Sequence, residues 1–412
     1  MTFQEQFERS LEAAPRVALV QILAKQSEEA GVKLTDEQWR ELYEHIRVDE
    51  DAIQLTGPIT FDGQRMDLAL NESDMVAVEA CMNRLSEKMP SLLVEIGNAV
   101  GDDLLGTLRD RWPEQEQIED QDRRAFVRRL HERWGSPISL LRMMLTISRE
   151  FGEMTSRDIA RLGQDVALRH RVLTRLHARS CQVFDEVVCH LANGFADGAM
   201  ARWRTLHEIA VVAMFIRKEG EGTARRFLDH QSVETFNAAK SYRRFSCQLG
   251  YAPMTDEDFE ASKLARDETV AKYEHEPEFD SDYGWAAQAL GVKRPHLFHI
   301  EKSVGLSHFR PYYKLACHNV HASSKGSIER LGMPGGSDML LAGPSNAGLS
   351  DPGQNSAISL YRSSLALGLL VPTLDSFVGL RVLAGLVGDA CQAFHAADEQ
   401  LKKDARNGVE GE

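Results

Sequence analysis

The stretch that most constrains the fold is HRVLTRLHARSCQVFDEVVCHLANGFADGAMARWRTLHEIAVVAMFIRK, residues 170 to 218. In its first half Val172, Leu173, Leu176, Val183, Phe184, Val187 and Leu191 recur at helical spacing. The pattern stops at Asn193-Gly194, a dipeptide suited to the left-handed conformation that ends helices. Asp197 then stands where a side-chain oxygen would cap a second helix. A connection this short makes the two helices an antiparallel hairpin. In the second helix Met200, Trp203, Leu206, Ile209, Val212 and Phe215 spread so far round the cylinder that most of it must be covered by other elements. The fold class that follows is mostly α, a multi-helix bundle.

On a helix buried this thoroughly the polar residues carry weight. Asp197, Arg204 and Glu208 stand seven and four residues apart, so one stripe presents acid, base and acid, with His207 one position aside. A charge buried alone costs several kcal/mol, so each needs a partner. The spacing predicts that Arg204 pairs with Glu208 within the core, either as a structural ion pair or as the polar floor of a ligand site, facing the helix that carries His318.

The chain has 412 residues, more than one core usually supports, which predicts two domains. Residues 1–135 read as an N-terminal helical domain with one small β-hairpin near 52–70, turning at Asp62-Gly63. Residues 136–404 read as a C-terminal helical domain, and 405–412 as a mobile tail. Between the domains, EQEQIEDQD at 114–122 is too polar to pack and reads as an exposed connection or a solvated first turn, and WGSP at 134–137 reads as a break. Residues 331–355 are dense in Gly, Pro, Ser and Asn and read as a mobile loop lying over the polar stripe, followed by helices at about 356–371 and 376–403.

The net charge of -14 argues against a broad electrostatic grip on nucleic acid. Two local basic runs remain, RRAFVRRLHERW at 123–134 and a second at 169–179, each a solvated face or a platform for an anion or RNA. The six cysteines lack paired spacing and read as reduced packing residues of a cytoplasmic protein. The N-terminus lacks the order of a secretory signal, and the apolar stretch 363–374 is interrupted by Pro372, so no membrane association is expected. Phosphate-loop, dinucleotide and nucleophile-elbow motifs are missing from the sequence, and no cofactor is expected.

Histidines concentrate at 291–323, where His296, His299, His308, His318 and His321 fall. Pro311 suits a first helical turn, from which Lys314, His318 and His321 share a face at spacings of four and three. Two histidines one turn apart are a weak metal signal, since no HExxH, repeated ExxH or paired cysteine motif accompanies them, and no metal ligand is assigned.

The run from Cys181 to Ile216, centred on NGFADGAMARWRTLHEIAVVA, together with YYKLACHNVHASSKG and LLAGPSNAGLSDPG, resembles a bacterial family of unknown function, the one numbered five-six-seven-seven. The resemblance spans roughly residues 150 to 400 and implies a fold with little stated chemistry. A looser similarity, all-helical with Arg and His as the notable polar residues, points to the higher-eukaryote and prokaryote nucleotide-binding (HEPN-like) superfamily of ribonucleases and defence proteins. That similarity implies metal-independent phosphodiester cleavage, in which a His moves the proton and an Arg stabilises the developing charge. On this reading Arg204, Glu208, His318 and His321 are the candidate catalytic residues. Asp197, His207, Tyr313 and Lys314 are the candidate substrate contacts. The superfamily places Arg four to six residues before His. Five pairs here are near that spacing, Arg124 with His131, Arg171 with His177, Arg202 with His207, Arg225 with His230 and Arg294 with His299, so spacing singles out none, and Arg310 with His318 falls outside it.

Three functions stay open: an RNA- or nucleotide-directed enzyme of defence or stress, a non-catalytic helical scaffold or ligand sensor, and a metal-dependent hydrolase using the histidines. A homodimer is a further expected partner state. The first function needs an Arg and a His at one phosphate, the third needs three or four converging ligands, and the second needs neither.

Overall fold

The computed structural model describes residues 2–29, 34–49, 52–55, 59–61, 64–66, 71–157, 164–273, 278–333, 340–370 and 372–407. The chain divides into two compact units, Met1–Glu119 and Asp120–Glu412, a boundary ahead of the one expected at 135.

The first unit begins with α1 (Phe3–Glu29) and α2 (Asp36–His45). Thr35 caps α2: its hydroxyl accepts the Gln38 N–H, and the Gln38 side chain accepts the Thr35 N–H in return. Leu19, Leu23, Leu42, Ile46 and Val78 form a small core. The single hairpin expected near 52–70 is not what forms. Four short strands, β1 (Ile46–Asp49), β2 (Ala52–Leu55), β3 (Ile59–Phe61) and β4 (Gln64–Met66), pair antiparallel as two separate two-stranded ribbons, β1 with β2 and β3 with β4. Asp62-Gly63 lies outside the described residues.

The next element removes the break expected at 134–137 and keeps 114–122 exposed, but within a helix. Helix α3 runs unbroken from Glu72 to Arg157, through both the acidic 114–122 stretch and WGSP. Glu and Gln lose little side-chain freedom in a helix, so a run too polar to pack can still be helical. At 134–137 tertiary packing overrides the local breakers. Trp134 is fully buried, Ile138 is 3% exposed, and the Trp134 indole N–H donates to the carbonyl and side-chain oxygens of Asn346.

The second unit adds α4 (Gln164–Ala192), α5 (Ala196–Glu219), α6 (Glu221–Asp229), α7 (Gln231–Phe245), α8 (Asp256–Lys272), α9 (Ala287–Leu290), α10 (Leu297–Ser303), α11 (Arg310–Val320), α12 (Ser324–Ile328), α13 (Ser350–Gly368) and α14 (Leu374–Arg406). The predicted hairpin is α4 and α5, and α5 lies at the centre, packed against α4, α13, α11 and α10. Its turn needs glycine. Gly194 has φ +77°, and a Cβ there would stand 2.8 Å from both the Phe126 ring and the Ser345 carbonyl.

Helix α13 starts at Ser350, ahead of the expected 356, with Pro352 in its first turn. It is built from small residues and packs closely on α4, α5 and α14. A Cβ at Gly353 would come within 2.4 Å of the buried Phe394 ring. Among the described residues one helix, α14, is long and apolar enough to cross a membrane by length and composition, while Leu380, Leu383, Leu386, Ala390 and Phe394 on it are packed into the protein core. The expected tail is helical as far as Arg406, and 408–412 lie outside the described residues.

Candidate functional site

The stripe predicted on α5 meets α10 and α11 at a polar corner. The Arg204 Nε–H is shared between Glu208 Oε1 and the Tyr313 hydroxyl oxygen, each at 3.1 Å, and that hydroxyl donates to Glu208 Oε1 at 2.5 Å. The Arg204 guanidinium also lies over the Tyr313 ring, 5.1 Å from its centroid. Burial opposes the Arg204 charge, but the Tyr313 hydrogen bond and the Glu208 carboxylate outweigh it and hold the group above its ordinary value. Burial, and then the bond to Glu208, push the Tyr313 phenol up, so it serves as a donor rather than a base. Tyr283 is pushed up to about 12 by burial and then by the Glu208 carboxylate.

One turn away on the same helix, His207 is 2% exposed and its Nε2–H donates to Glu301 Oε1 at 3.1 Å. Glu301 is fully buried, and its other oxygen takes the Arg310 guanidinium at 3.0 Å. Trp203, Phe309 and Tyr313 wall the His207 imidazole, with ring centroids at 5.2, 5.6 and 6.1 Å. Sequence reasoning missed Glu301, the most deeply buried acid of the corner. It stands 94 residues from His207, and no local pattern marks it.

The remaining candidates go elsewhere. His318 is half-buried and its Nδ1 meets the Ser323 hydroxyl at 3.0 Å, so the hydrogen bonds that engage it are local and do not join it to Arg204. His321 is exposed and sits just past the last residue of α11, off the helical face expected for it. Lys314 is exposed as well. Asp197 caps nothing. It lies inside the first turn of α5 and its Oδ1 accepts the Leu331 N–H at 3.0 Å. The described part of the 331–355 segment is held against the hairpin turn, with the Ser345 N–H donating to the Gly194 carbonyl at 2.9 Å and the Arg330 side chain to the Leu341 carbonyl. Residues 334–339 of the expected lid lie outside the described residues.

The five Arg and His pairs separate as well. His177 goes to Ser364, His207 to Glu301, His230 to the Ser281 carbonyl and His299 to the His296 N–H, while Arg124, Arg202 and Arg294 pair with Asp120, Glu186 and Glu278. Among the described residues no three His, Cys, Asp or Glu side chains converge as a metal ion requires.

A different place is open. Where α3 passes the hairpin turn, an accessible groove of about 810 Å³ is lined by Asp120, Gln121, Arg123, Arg124, Val127, Arg128 and Asn193. Arg124 pairs with Asp120 at 3.4 Å. Arg123 lies over the Phe195 ring, 5.8 Å from its centroid, and among the described residues neither Arg123 nor Arg128 has an acidic partner. Beyond Val127 and Arg128 a second groove of about 410 Å³ continues past His131, Glu132, Ile138 and Arg142. On the same stretch of α3, Trp134 is bonded to Asn346 and the Phe126 ring packs beside the Gly194 turn. The sequence shows this basic face but not its concavity, which exists only once α3 meets the turn.

No curated protein and no solved structure matches the chain. Residues 170–338, which carry the α4–α5 hairpin and the Arg204, Glu208 and Glu301 corner but neither the arginines of α3 nor the LLAGPSNAGLSDPG segment, match the model of a family of unknown function (DUF5677).

Proposed function

We propose that the chain is a non-catalytic helical sensor that holds a phosphate-bearing ligand of nucleotide size in the α3 groove. The observation that carries this reading is the pair of guanidinium groups, Arg123 and Arg128, that line one concave site without an acidic partner among the described residues. An open groove of this volume admits a small ligand, and two planar forks suit phosphate oxygens. With a net charge of -14, a few local cations suit a compact anion better than a long nucleic acid, whose affinity grows with the number of phosphates neutralised. The polar corner supports the non-catalytic side of the reading. Arg204 with Glu208 and Tyr313, and His207 and Arg310 with Glu301, bond to one another and tie three helices together, an arrangement that suits a structural lock better than a base poised for a substrate.

The test is titration calorimetry with a nucleoside triphosphate and, separately, a short single-stranded RNA. A charge-assisted hydrogen bond contributes about 1.5–3 kcal/mol, so Arg123→Ala with Arg128→Ala should weaken nucleotide binding by roughly a hundredfold or more. Unchanged nucleotide affinity in that variant sinks the groove, and tighter binding of RNA than of nucleotide makes RNA the ligand. Turnover of RNA by the wild type that disappears in His318→Ala overturns the non-catalytic reading.

A further inference from the structure

In the first unit, α3 carries an apolar face that the unit itself leaves uncovered. Every residue from Gly101 to Glu119 is exposed, and the exposed residues include Leu93, Val94, Leu104, Leu105, Leu108 and Trp112. A helix without packing on any side is expected to be polar all round, and this one is not. Gly97 and Gly101 lie on the same face, where an added Cβ would meet nothing within 4 Å. Glycine inside an exposed helix weakens it and is retained where another backbone or side chain approaches closely. The same face opens into a groove of about 820 Å³, in which Gly97, Gly101 and Leu104 stand beside Ile96 and Val100 and opposite Phe7 and Leu11 of α1, so the apolar surface is continuous with it.

We propose that a second copy of this chain covers the face, packed antiparallel along α3 about a two-fold axis between Gly101 and Leu104. The spacing is self-complementary. Gly97 and Gly101 are four residues apart, as are Leu104 and Leu108, and all four lie within one side of the helix. About that axis Leu104 of each copy enters the hollow at Gly101 of the other, and Leu108 the hollow at Gly97. Leu93 then meets Trp112. A single two-fold contact of this kind uses the same patch twice and closes on itself. The area is sufficient. From Leu93 to Ile118 the helix rises roughly 39 Å, and a strip about 15 Å wide along it gives about 600 Å² per copy, which doubles to the lower end of specific interfaces.

The experiment is sedimentation equilibrium on the full chain from about 1 to 100 µM. The wild type is expected to be a dimer, and Leu104→Glu to weaken association by at least a hundredfold with its far-ultraviolet circular dichroism unchanged. Gly101→Leu raises helix propensity yet fills the hollow, so it should also dissociate the dimer. Adding Leu104→Ala to Gly101→Leu exchanges knob and hollow and should restore it. That rescue separates interlocking from mere misfolding. A monomeric wild type at 100 µM overturns the proposal and assigns the face to another partner, and a dimer indifferent to Leu104→Glu overturns it equally.

Discussion

Acidification should reveal His177 as a buried neutral histidine. The side chain is 3% exposed, and burial lowers it from 6.5 to about 4. Its surroundings fix the tautomer. The Ser364 hydroxyl donates to the Leu360 carbonyl at 3.1 Å, so the His177 Nε2–H donates to that hydroxyl oxygen at 3.0 Å. Nδ1 then faces the Cys181 thiol at 4.0 Å, and burial raises that thiol to about 11, which keeps its proton in place. Between pH 6.5 and 4 the unfolded chain protonates this histidine and the folded chain does not, so the unfolded state binds more protons and stability falls as pH falls. From pH 7 to pH 4.5 the window covers nearly two pH units, at about 1.4 kcal/mol per unit, or roughly 2.5 kcal/mol. The assay is urea unfolding by tryptophan fluorescence at both pH values, for the wild type and for His177→Phe. The phenyl ring keeps the packing near Phe151 and Gly152, and Ser364 keeps its bond to Leu360. The acids elsewhere titrate alike in both proteins, so the wild type should lose about 2.5 kcal/mol more than the variant. Parallel losses would show that His177 is solvated and charged in the folded state, and the reasoning would fail.

Glu301→Ala should lower the melting temperature of the second unit by roughly 6–10 °C, because it leaves a buried imidazole donor unpaired at a cost of about 3 kcal/mol, while Glu301→Gln, which can still accept one bond, should cost about 1 kcal/mol. Circular dichroism melts of the two variants check this, and equal melting for both would mean that the Glu301 charge contributes nothing. Gly353→Ala should cost about 2 kcal/mol, since its Cβ would meet the Phe394 ring at 2.4 Å and that ring is fully buried with no room to turn. Denaturant unfolding measures it, and a neutral result would show that α13 and α14 are packed more loosely than these contacts imply.

The parts of this chain that were legible in its sequence are those whose information is local. The α4–α5 hairpin follows from apolar period and one Asn-Gly dipeptide, and the turn forms there with the φ that glycine permits. The pairing of Arg204 with Glu208 follows from a four-residue spacing, but the pair expected in the core stays partly open to solvent, with the two side chains 27% and 29% exposed. Where local and tertiary signals compete, local reading fails. WGSP carries two breakers, yet the indole of Trp134 finds its acceptors 212 residues away and holds the helix through them.

Histidine density shows the same limit from the other side. It drew attention to His318 and His321, but an imidazole near the end of α11 is satisfied by the nearest hydroxyl, that of Ser323. The acid that matters structurally, Glu301, lies inside the histidine-rich 291–323 block but is marked by nothing of its own, and it acquires its importance only when α5 brings His207, and α11 brings Arg310, to its two oxygens. A fully buried carboxylate needs both partners, because either one alone would leave a charge or a lone pair unsatisfied in a low-dielectric interior. The corner is therefore a lock between helices. The same logic read in reverse favours the α3 groove as the place where something binds: there the guanidinium groups of Arg123 and Arg128 remain without acids among the described residues, and a concave surface is already formed around them.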